Sequence, residues 1–218
     1  MSSQRGVGML AAVVAVGYLV IGVTHFCLPA RQLQGAASLF ASLARDGNAI
    51  FRVHYWAFAI TSLLAMALVV SVRPERGEPD LFLQVARVWA LLAFAVTAVD
   101  FLYVQQRALT IAEQWNSLDA SSQQALLVLG TGRIDATWFI GFAALAPWPI
   151  ALSRAARRSG VWPRATRVAA YLVSIDALCV SLGALAHQFL FVNLAAAGAI
   201  VVTPAFFVLM SRQSLRAD

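Results

Sequence analysis

The sequence predicts an all-α, polytopic membrane bundle of six transmembrane helices with both termini in the cytoplasm. Of its 218 residues, 61% are hydrophobic and 12% are charged, whereas soluble domains are about 45–50% apolar and about 25% charged. The apolar residues fall in blocks about as long as a bilayer is thick, and most arginines fall in the connections between blocks. We therefore expect lipid to be the solvent of the outer helix faces.

Six apolar blocks are long enough to cross the hydrocarbon layer as helices. The predicted spans are about 7–29, 50–72, 83–104, 126–152, 166–186 and 189–210, within one transmembrane domain, 1–218. The segment 32–45 is amphipathic and is expected at the interface, and 105–124 is expected to be the longest polar connection. Only His187 and Gln188 separate the last two spans, which predicts an antiparallel hairpin with Asp176 opposite Gly198 and Ala199.

The net charge of +6 comes from arginine alone, because the chain contains no lysine. The absence of lysine excludes Schiff-base chemistry. The arginines lie in short loops, which favours lipid headgroups over nucleic acid as their partner. With the N-terminus in the cytoplasm, eleven of the 16 arginines lie on the cytoplasmic side, and this bias predicts the orientation.

A basic turn separates the fourth and fifth blocks, with the sequence Ala-Ala-Arg-Arg-Ser-Gly-Val-Trp-Pro-Arg at 155–164. It resembles the corresponding loop of an uncharacterised family of bacterial six-helix integral membrane proteins with an Arg-Ser-Gly-x-x-Pro-Arg turn. The resemblance covers residues 138–186. It implies a six-helix bundle in a bacterial inner membrane and carries over no catalytic residues. The alternative interpretation is a basic cytoplasmic turn that a proline ends.

Asp176 is the clearest ionisable residue within a span, near the centre of the fifth block with apolar residues on both sides. A charged side chain there costs about 2.5–3.5 kcal/mol on insertion scales. We therefore expect the carboxyl to be neutral, to be paired inside the bundle or to face water. Two roles remain open, a functional group or an interhelical hydrogen bond that holds the bundle together.

The other ionisable residues of the spans share a depth. In the predicted orientation, the three histidines and the three aspartates of the spans lie in the outer half or at the midplane. The inner halves are nearly free of ionisable groups, which predicts a polar cavity that opens outward and is closed below by apolar packing. The expected catalytic residues are Asp176, Asp100 and His54.

Further residues at that depth are expected to bind substrate. They are Asp135, Arg133, His25, His187, Asn193, Tyr55, Trp56, Tyr103 and Trp138. For the aromatic residues, the alternative is the belt of aromatic side chains that marks membrane interfaces. No His-x-x-x-His or His-x-x-Glu spacing supports a metal site, so neither a metal nor another cofactor is expected.

Three functions are compatible with these polar and ionisable residues of the spans. The first is acid–base catalysis, of the isomerase or cyclase type, on an apolar prenyl- or lipid-like small molecule. The second is transport of a small molecule or proton, although the chain lacks the internal repeat and the pair of broken helices typical of transporters. The third is a non-catalytic partner of a membrane complex. The expected partners are membrane lipid and an apolar small molecule, not nucleic acid, and the oligomeric state stays open.

Overall fold

The computed structural model describes residues 3–73, 81–128, 136–186 and 189–216, and within these ranges the fold is all-α. The helices are α1 (Ser3–Cys27), α2 (Ala36–Asp46), α3 (Ala49–Ser71), α4 (Leu81–Trp115), α5 (Ala120–Leu126), α6 (Ala136–Leu145), α7 (Pro147–Arg158), α8 (Arg164–Leu185) and α9 (Phe189–Arg216). A short 3₁₀ turn, Ala30–Leu33, connects α1 to α2. The predicted fold class is thereby confirmed at the level of a helical bundle.

Five helical segments of the described chain are long and apolar enough to cross a membrane. They are Gln4–Cys27, Ala49–Ser71, Leu81–Trp115, Arg164–Leu185 and Ala197–Leu215. Their outward faces are apolar, as on α1, where Val13, Val16 and Val23 are each half exposed or more. A stripe of exposed valines is costly in water and costs little in lipid. These helices indicate a multi-pass membrane protein.

The fourth predicted span, 126–152, differs from the described structure. Here α6 ends at Leu145 and α7 begins at Pro147, so the helix is interrupted at Ala146. Proline has no N–H to continue the ladder and its ring crowds the preceding turn, which accounts for the interruption. Because neither α6 nor α7 is long enough to cross a bilayer, the sixth span stays a prediction.

The helix α4 is longer than the predicted span 83–104. It continues through the expected polar connection to Trp115, because Ala108, Leu109, Ala112 and Trp115 form an apolar stripe that packs on α2. At about 1.5 Å per residue its 35 residues measure about 52 Å. This exceeds the roughly 30 Å hydrocarbon layer. A helix of this length is longer than a hydrocarbon layer is thick, and α2 packs beside its last turns.

The helices close into a ring, with α1 against α3, α3 against α4, α4 against α6 and α7, these against α8, α8 against α9, and α9 against α1. The predicted pairing of α8 with α9 is confirmed. A Cβ on Gly198 would lie 3.0 Å from Asp176 Oδ1, so Gly198 does lie opposite Asp176. Small residues at such crossings let two backbones approach closely.

The two ends of the ring are packed differently. One end, the closed half, comprises the start of α1, the end of α3, α7, the start of α8 and the end of α9. Buried apolar side chains fill it, among them Val14, Leu68, Trp148, Leu152, Phe206 and Met210. The other end, the cavity half, comprises the end of α1, the start of α3, the end of α8 and the start of α9. The two ends therefore differ in packing, with a large apolar core at one end and His25, His54 and Asp176 towards the other.

The contact between α1 and α3 predicts a stability difference between two glycines of α1. A Cβ on Gly17 would overlap the buried Thr61 side chain out to its own Cβ, whereas a Cβ on Gly6 would meet nothing within 4 Å. We expect Gly17→Ala to lower the free energy of unfolding by about 1–3 kcal/mol, the usual cost of overpacking. Gly6→Ala should be neutral or slightly stabilising, because alanine favours helix. Thermal unfolding in detergent measures both, and equal behaviour of the two variants would contradict the close approach.

Candidate functional site

A cavity of about 220 Å³ lies in the cavity half of the ring. Helices α1, α3, α8 and α9 provide most of its lining from residues about one helical turn apart, and α2, α4, α6 and the 3₁₀ turn add the rest. The main lining residues are Tyr18, Ile21, His25 and Leu28 at the end of α1, Phe51, His54, Tyr55 and Phe58 on α3, Val173, Asp176, Ala177 and Val180 on α8, and Ala199, Ile200 and Thr203 on α9. An engineered apolar cavity of about 150 Å³ holds benzene, so this space suits a small apolar molecule.

An aromatic wall fixes one side of the cavity. Phe58 stacks on Phe101 of α4 with ring centroids 4.0 Å apart, and Tyr55 lies 5.4 Å from the same ring. On α1, Tyr18 stacks on Phe207 at 5.6 Å. Such pairs stabilise by about 0.5–1.5 kcal/mol beyond the area that they bury. The wall is therefore held in place before any ligand enters.

Two histidines from neighbouring helices lie side by side in the lining of the cavity. The rings of His25 on α1 and His54 on α3 have centroids 5.7 Å apart. The Thr24 hydroxyl lies 2.9 Å from His54 Nδ1 and also lies 2.8 Å from the carbonyl oxygen of Val20 and 3.0 Å from that of Ile21.

The contacts of Thr24 assign the tautomer of neutral His54. Threonine hydroxyls inside helices commonly donate to a carbonyl of the preceding turn, and we infer that the single hydroxyl proton of Thr24 goes to the backbone of α1. The hydroxyl oxygen then accepts from Nδ1–H of His54, which leaves Nε2 with its lone pair. His54 therefore presents a base with a fixed orientation, and it is 6% exposed.

Asp176 contributes a carboxyl group to the lining of the cavity. It is half-buried on α8, and no hydrogen bond or ion pair to it is found among the described residues. Its nearest neighbour across the helix contact is Gly198, which has no side chain to bond. An interhelical hydrogen bond through Asp176 thus has no described partner, and the carboxyl faces the cavity instead.

A short segment beyond the end of α1 lines the outer end of the cavity. Gln32 and Leu33 of the 3₁₀ turn and Leu39 of α2 all line it. Ser42 donates to Asp46 Oδ2 at 3.0 Å, and Arg45 donates to Asp46 at 2.7 and 3.0 Å. These bonds to the carboxylate lower the pKa of Asp46 to about 2. The Asp46 carboxylate at the end of α2 therefore stays charged at every physiological pH.

The structure separates the predicted site residues into three groups. His25, His54, Tyr55 and Asp176 come together in the cavity, as expected. Arg133, Asp135 and His187 lie outside the described residues, and only the backbone of Trp138 and Asn193 is described. Asp100, Trp56 and Tyr103 lie elsewhere.

Asp100, which was expected to be catalytic, is not among the residues that line the cavity. It is 7% exposed within α4 and comes one residue before Phe101, which does line the cavity. One residue turns the helix by about 100°, so the two side chains point in different directions. Asp100 does interact within the bundle and acts electrostatically on Tyr55.

Trp56 and Tyr103 are also not cavity residues. They are 51% and 59% exposed and each lies two residues after a cavity residue, on the opposite helix face. Their exposure fits the alternative interpretation as interfacial aromatic residues.

Three polar cavity residues were not among the predicted ones, namely Tyr18, Gln32 and Thr203. Tyr18 precedes His25 by seven residues, two helical turns on the same face, and this spacing is a signal that the sequence carries. Thr203 is four residues beyond Ala199, which was expected opposite Asp176. Gln32 lies in an irregular turn, and no periodicity indicates its direction.

No three histidine, cysteine, aspartate or glutamate side chains of the described chain form a group that could hold a metal ion. No family model, curated protein or solved structure matches this chain. The resemblance of the basic turn to a bacterial six-helix family therefore stays a prediction. The candidate site rests on its own geometry.

The tautomer of His54 is directly testable. In the wild-type protein, ¹⁵N NMR of labelled histidine at about pH 8, where an ordinary imidazole is neutral, should show the His54 proton on Nδ1. Thr24→Val removes the acceptor and should move the proton towards Nε2. Thr24→Ser keeps the hydroxyl and should leave the spectrum unchanged. A wild-type signal with the proton on Nε2 would contradict the assignment.

Proposed function

We propose that this protein is a bacterial inner-membrane enzyme that binds an apolar prenyl- or lipid-like molecule in the cavity and carries out acid–base chemistry on it. The observation that supports this most is the pairing of two groups in one largely apolar space. Asp176 offers a carboxyl without a partner in the described residues, and His54 offers a nitrogen base of fixed orientation. A proton donor and a proton acceptor that line the same apolar cavity are typical of an active site.

The proposed reaction is an isomerisation or cyclisation. A carboxylic acid that its apolar surroundings keep neutral can protonate an alkene or an epoxide oxygen. The Asp176 O–H bond breaks, a C–H or O–H bond forms on the substrate, and the substrate becomes a cation. His54 Nε2 then removes a proton from a neighbouring carbon, whose electron pair forms the new double bond. No electrons are lost or gained, and water returns the proton from His54 to Asp176.

Transport is the second candidate, because Pro204 lies inside α9 directly after the cavity residue Thr203. A proline at that place allows a hinge beside the cavity. The catalytic proposal is favoured since buried apolar side chains fill the closed half of the ring. Between the cavity and the opposite end, the described residues of this core are mostly apolar.

The proposed topology has six spans, with the combination of α6 and α7 as the sixth wall of the ring. The contacts of α6 and α7 with α4 and α8 support this assignment. Both termini are placed in the cytoplasm on the bias of the arginines, five of which surround the turn between α7 and α8. The cavity then opens to the extracytoplasmic side.

The topology is tested by reporters fused after Asp218. A fluorescent protein that matures only in the cytoplasm should give signal there, and alkaline phosphatase at the same position should be inactive. The same two reporters placed after Asp46, beyond α2, should give the opposite pattern. Active phosphatase at Asp218 would overturn the orientation and the outward opening of the cavity.

Asp176→Asn is the test of catalysis. The amide keeps the shape of the carboxyl but has no acidic proton, so we expect turnover to fall by about 10²–10⁴-fold, the range for general acid catalysis. Thermal stability should stay unchanged, because no described bond is lost. Geraniol, farnesol and their terminal epoxides serve as probes, with products followed by gas chromatography.

Asp100→Asn is the matched control, since it changes an aspartate of the bundle that lies outside the cavity. It should retain turnover of any probe that the wild type converts. Full activity of Asp176→Asn would exclude the acid role. A large loss of stability in Asp176→Asn would instead indicate that the carboxyl holds the bundle together.

A further inference from the structure

A second cavity, of about 320 Å³, lies at the opposite end of the ring, between α7 and α8. It is lined by Ser153, Arg157, Arg164, Arg167, Val168 and Tyr171. On α7, Ser153 and Arg157 are one turn apart, and on α8 Arg164, Arg167, Val168 and Tyr171 lie within two turns, with Arg167 and Val168 adjacent. Each helix therefore turns one face towards the pocket.

The basic turn of the sequence builds this pocket. Gly160 has a φ of 67°, a left-handed conformation that glycine adopts without strain. The N–H of Val161 donates to Ala156 and that of Gly160 to Arg157, the bond pattern of a Schellman helix end. Pro163 then precedes α8. The Arg-Ser-Gly-x-x-Pro-Arg turn thus reverses the chain and brings arginines from both helices to one place.

The pocket holds positive charge without a described counter-charge. Arg157, Arg164 and Arg167 form no ion pair or hydrogen bond with any side chain of the described residues, in which the one ion pair is Arg45–Asp46. Guanidinium groups stay charged at every physiological pH. Three such groups around one cavity repel each other unless an anion lies between them.

Buried polar groups at the pocket also lack partners. Ser153 lines the pocket and is 1% exposed, and its Oγ has no hydrogen bond. The Nε atom of Arg167 is also buried and also has no hydrogen bond. The N-terminus of α8 has neither a side-chain cap nor an acidic residue in its first turn. Its first N–H groups and the positive end of its dipole favour a negative ligand. The preference of arginines for cytoplasmic loops explains why they are found in this turn. It does not explain why the buried hydroxyl of Ser153, which lines the same pocket, has no hydrogen-bond partner.

We propose that this pocket binds the phosphate group of an anionic phospholipid. Phosphate suits arginine because its oxygens accept paired N–H bonds from a guanidinium. Arg164 is also the first residue of a membrane-crossing segment, so the pocket lies where lipid phosphates are found.

The outward face of α8 supports a lipid rather than a free anion. Val168, at the edge of the pocket, is followed at intervals of four and three residues by Leu172 and Ile175, and all three are 46–56% exposed. They form an apolar track that leads from the pocket into the hydrocarbon layer. An acyl chain attached to a phosphate in the pocket would lie along this track.

The test compares lipids and variants on the intact protein. Purified protein in detergent is titrated with tail-labelled phosphatidylglycerol, and binding is followed by fluorescence anisotropy. Unlabelled phosphatidylglycerol should compete, whereas phosphatidylcholine and millimolar inorganic phosphate should not. Arg164→Gln and Arg167→Gln should each weaken binding about fivefold, from about 1 kcal/mol per arginine near a lipid surface. Ser153→Ala should weaken it less than either.

Arg212→Gln is the matched control, because Arg212 is an exposed arginine of the same end outside the pocket. It should bind like the wild type, and thermal unfolding checks that every variant is folded. Equal loss in Arg212→Gln and Arg167→Gln would overturn the site in favour of diffuse surface charge. Competition by inorganic phosphate would replace the lipid with a free anion. If the pocket variants do not fold, equal binding of phosphatidylglycerol and phosphatidylcholine by the wild type still refutes the proposal.

Discussion

The close approach of α1 to its two neighbours is the constraint on which the rest of the structure depends. Between helices in lipid there is no hydrophobic driving force, so association relies on van der Waals contact at short range. Gly8 and Gly22 of α1 face Leu215 and Ile200 of α9, and Gly17 faces Thr61 of α3, each too closely for a Cβ. These contacts join the first helix to both the third and the last, and so they close the ring. A ring that did not close would leave the cavity open to lipid.

The space inside the ring of helices is occupied by different side chains at its two ends. In the closed half, Trp148, Leu68 and Phe206 are each fully buried and occupy the space between the helices. In the cavity half, the corresponding inward positions of α8 and α9 carry small residues, such as Ala177 and Ala199. These small side chains leave space that the cavity occupies. Polar groups remain tolerable there, because they face an enclosed space instead of hydrocarbon.

From the sequence, the level of a residue along the axis of the bundle is predicted well, whereas the direction of its side chain around the helix is predicted poorly. The reason is physical. Hydropathy and loop length determine where a residue lies along the bilayer normal, which is why Asp176 and Gly198 were correctly placed opposite each other. The direction of a side chain around its helix depends on which neighbours pack there, and hydropathy does not report them. Asp100 and Phe101 have nearly the same depth, yet only Phe101 reaches the cavity. Likewise, the extension of α4 to Trp115 depends on α2, whose apolar side chains pack along it.

Helix α8 carries residues of both proposed sites, Asp176 in the cavity and the arginines of the second pocket. The rotation of α8 about its own axis therefore sets the direction of both. Ile175 is 56% exposed on the outer face, while the next residue, Asp176, turns into the cavity. A rotation of α8 by one residue would move the carboxyl into lipid, at a cost of about 2.5–3.5 kcal/mol on insertion scales. Two contacts oppose that rotation, namely Gly198 against Asp176 at one end and the arginine face at the other. Because Arg164 and Arg167 share a face, a phosphate held between them and Arg157 fixes the rotation of α8 from outside the membrane core. In this arrangement a lipid at one end of the helix helps to keep the carboxyl directed into the cavity at the other.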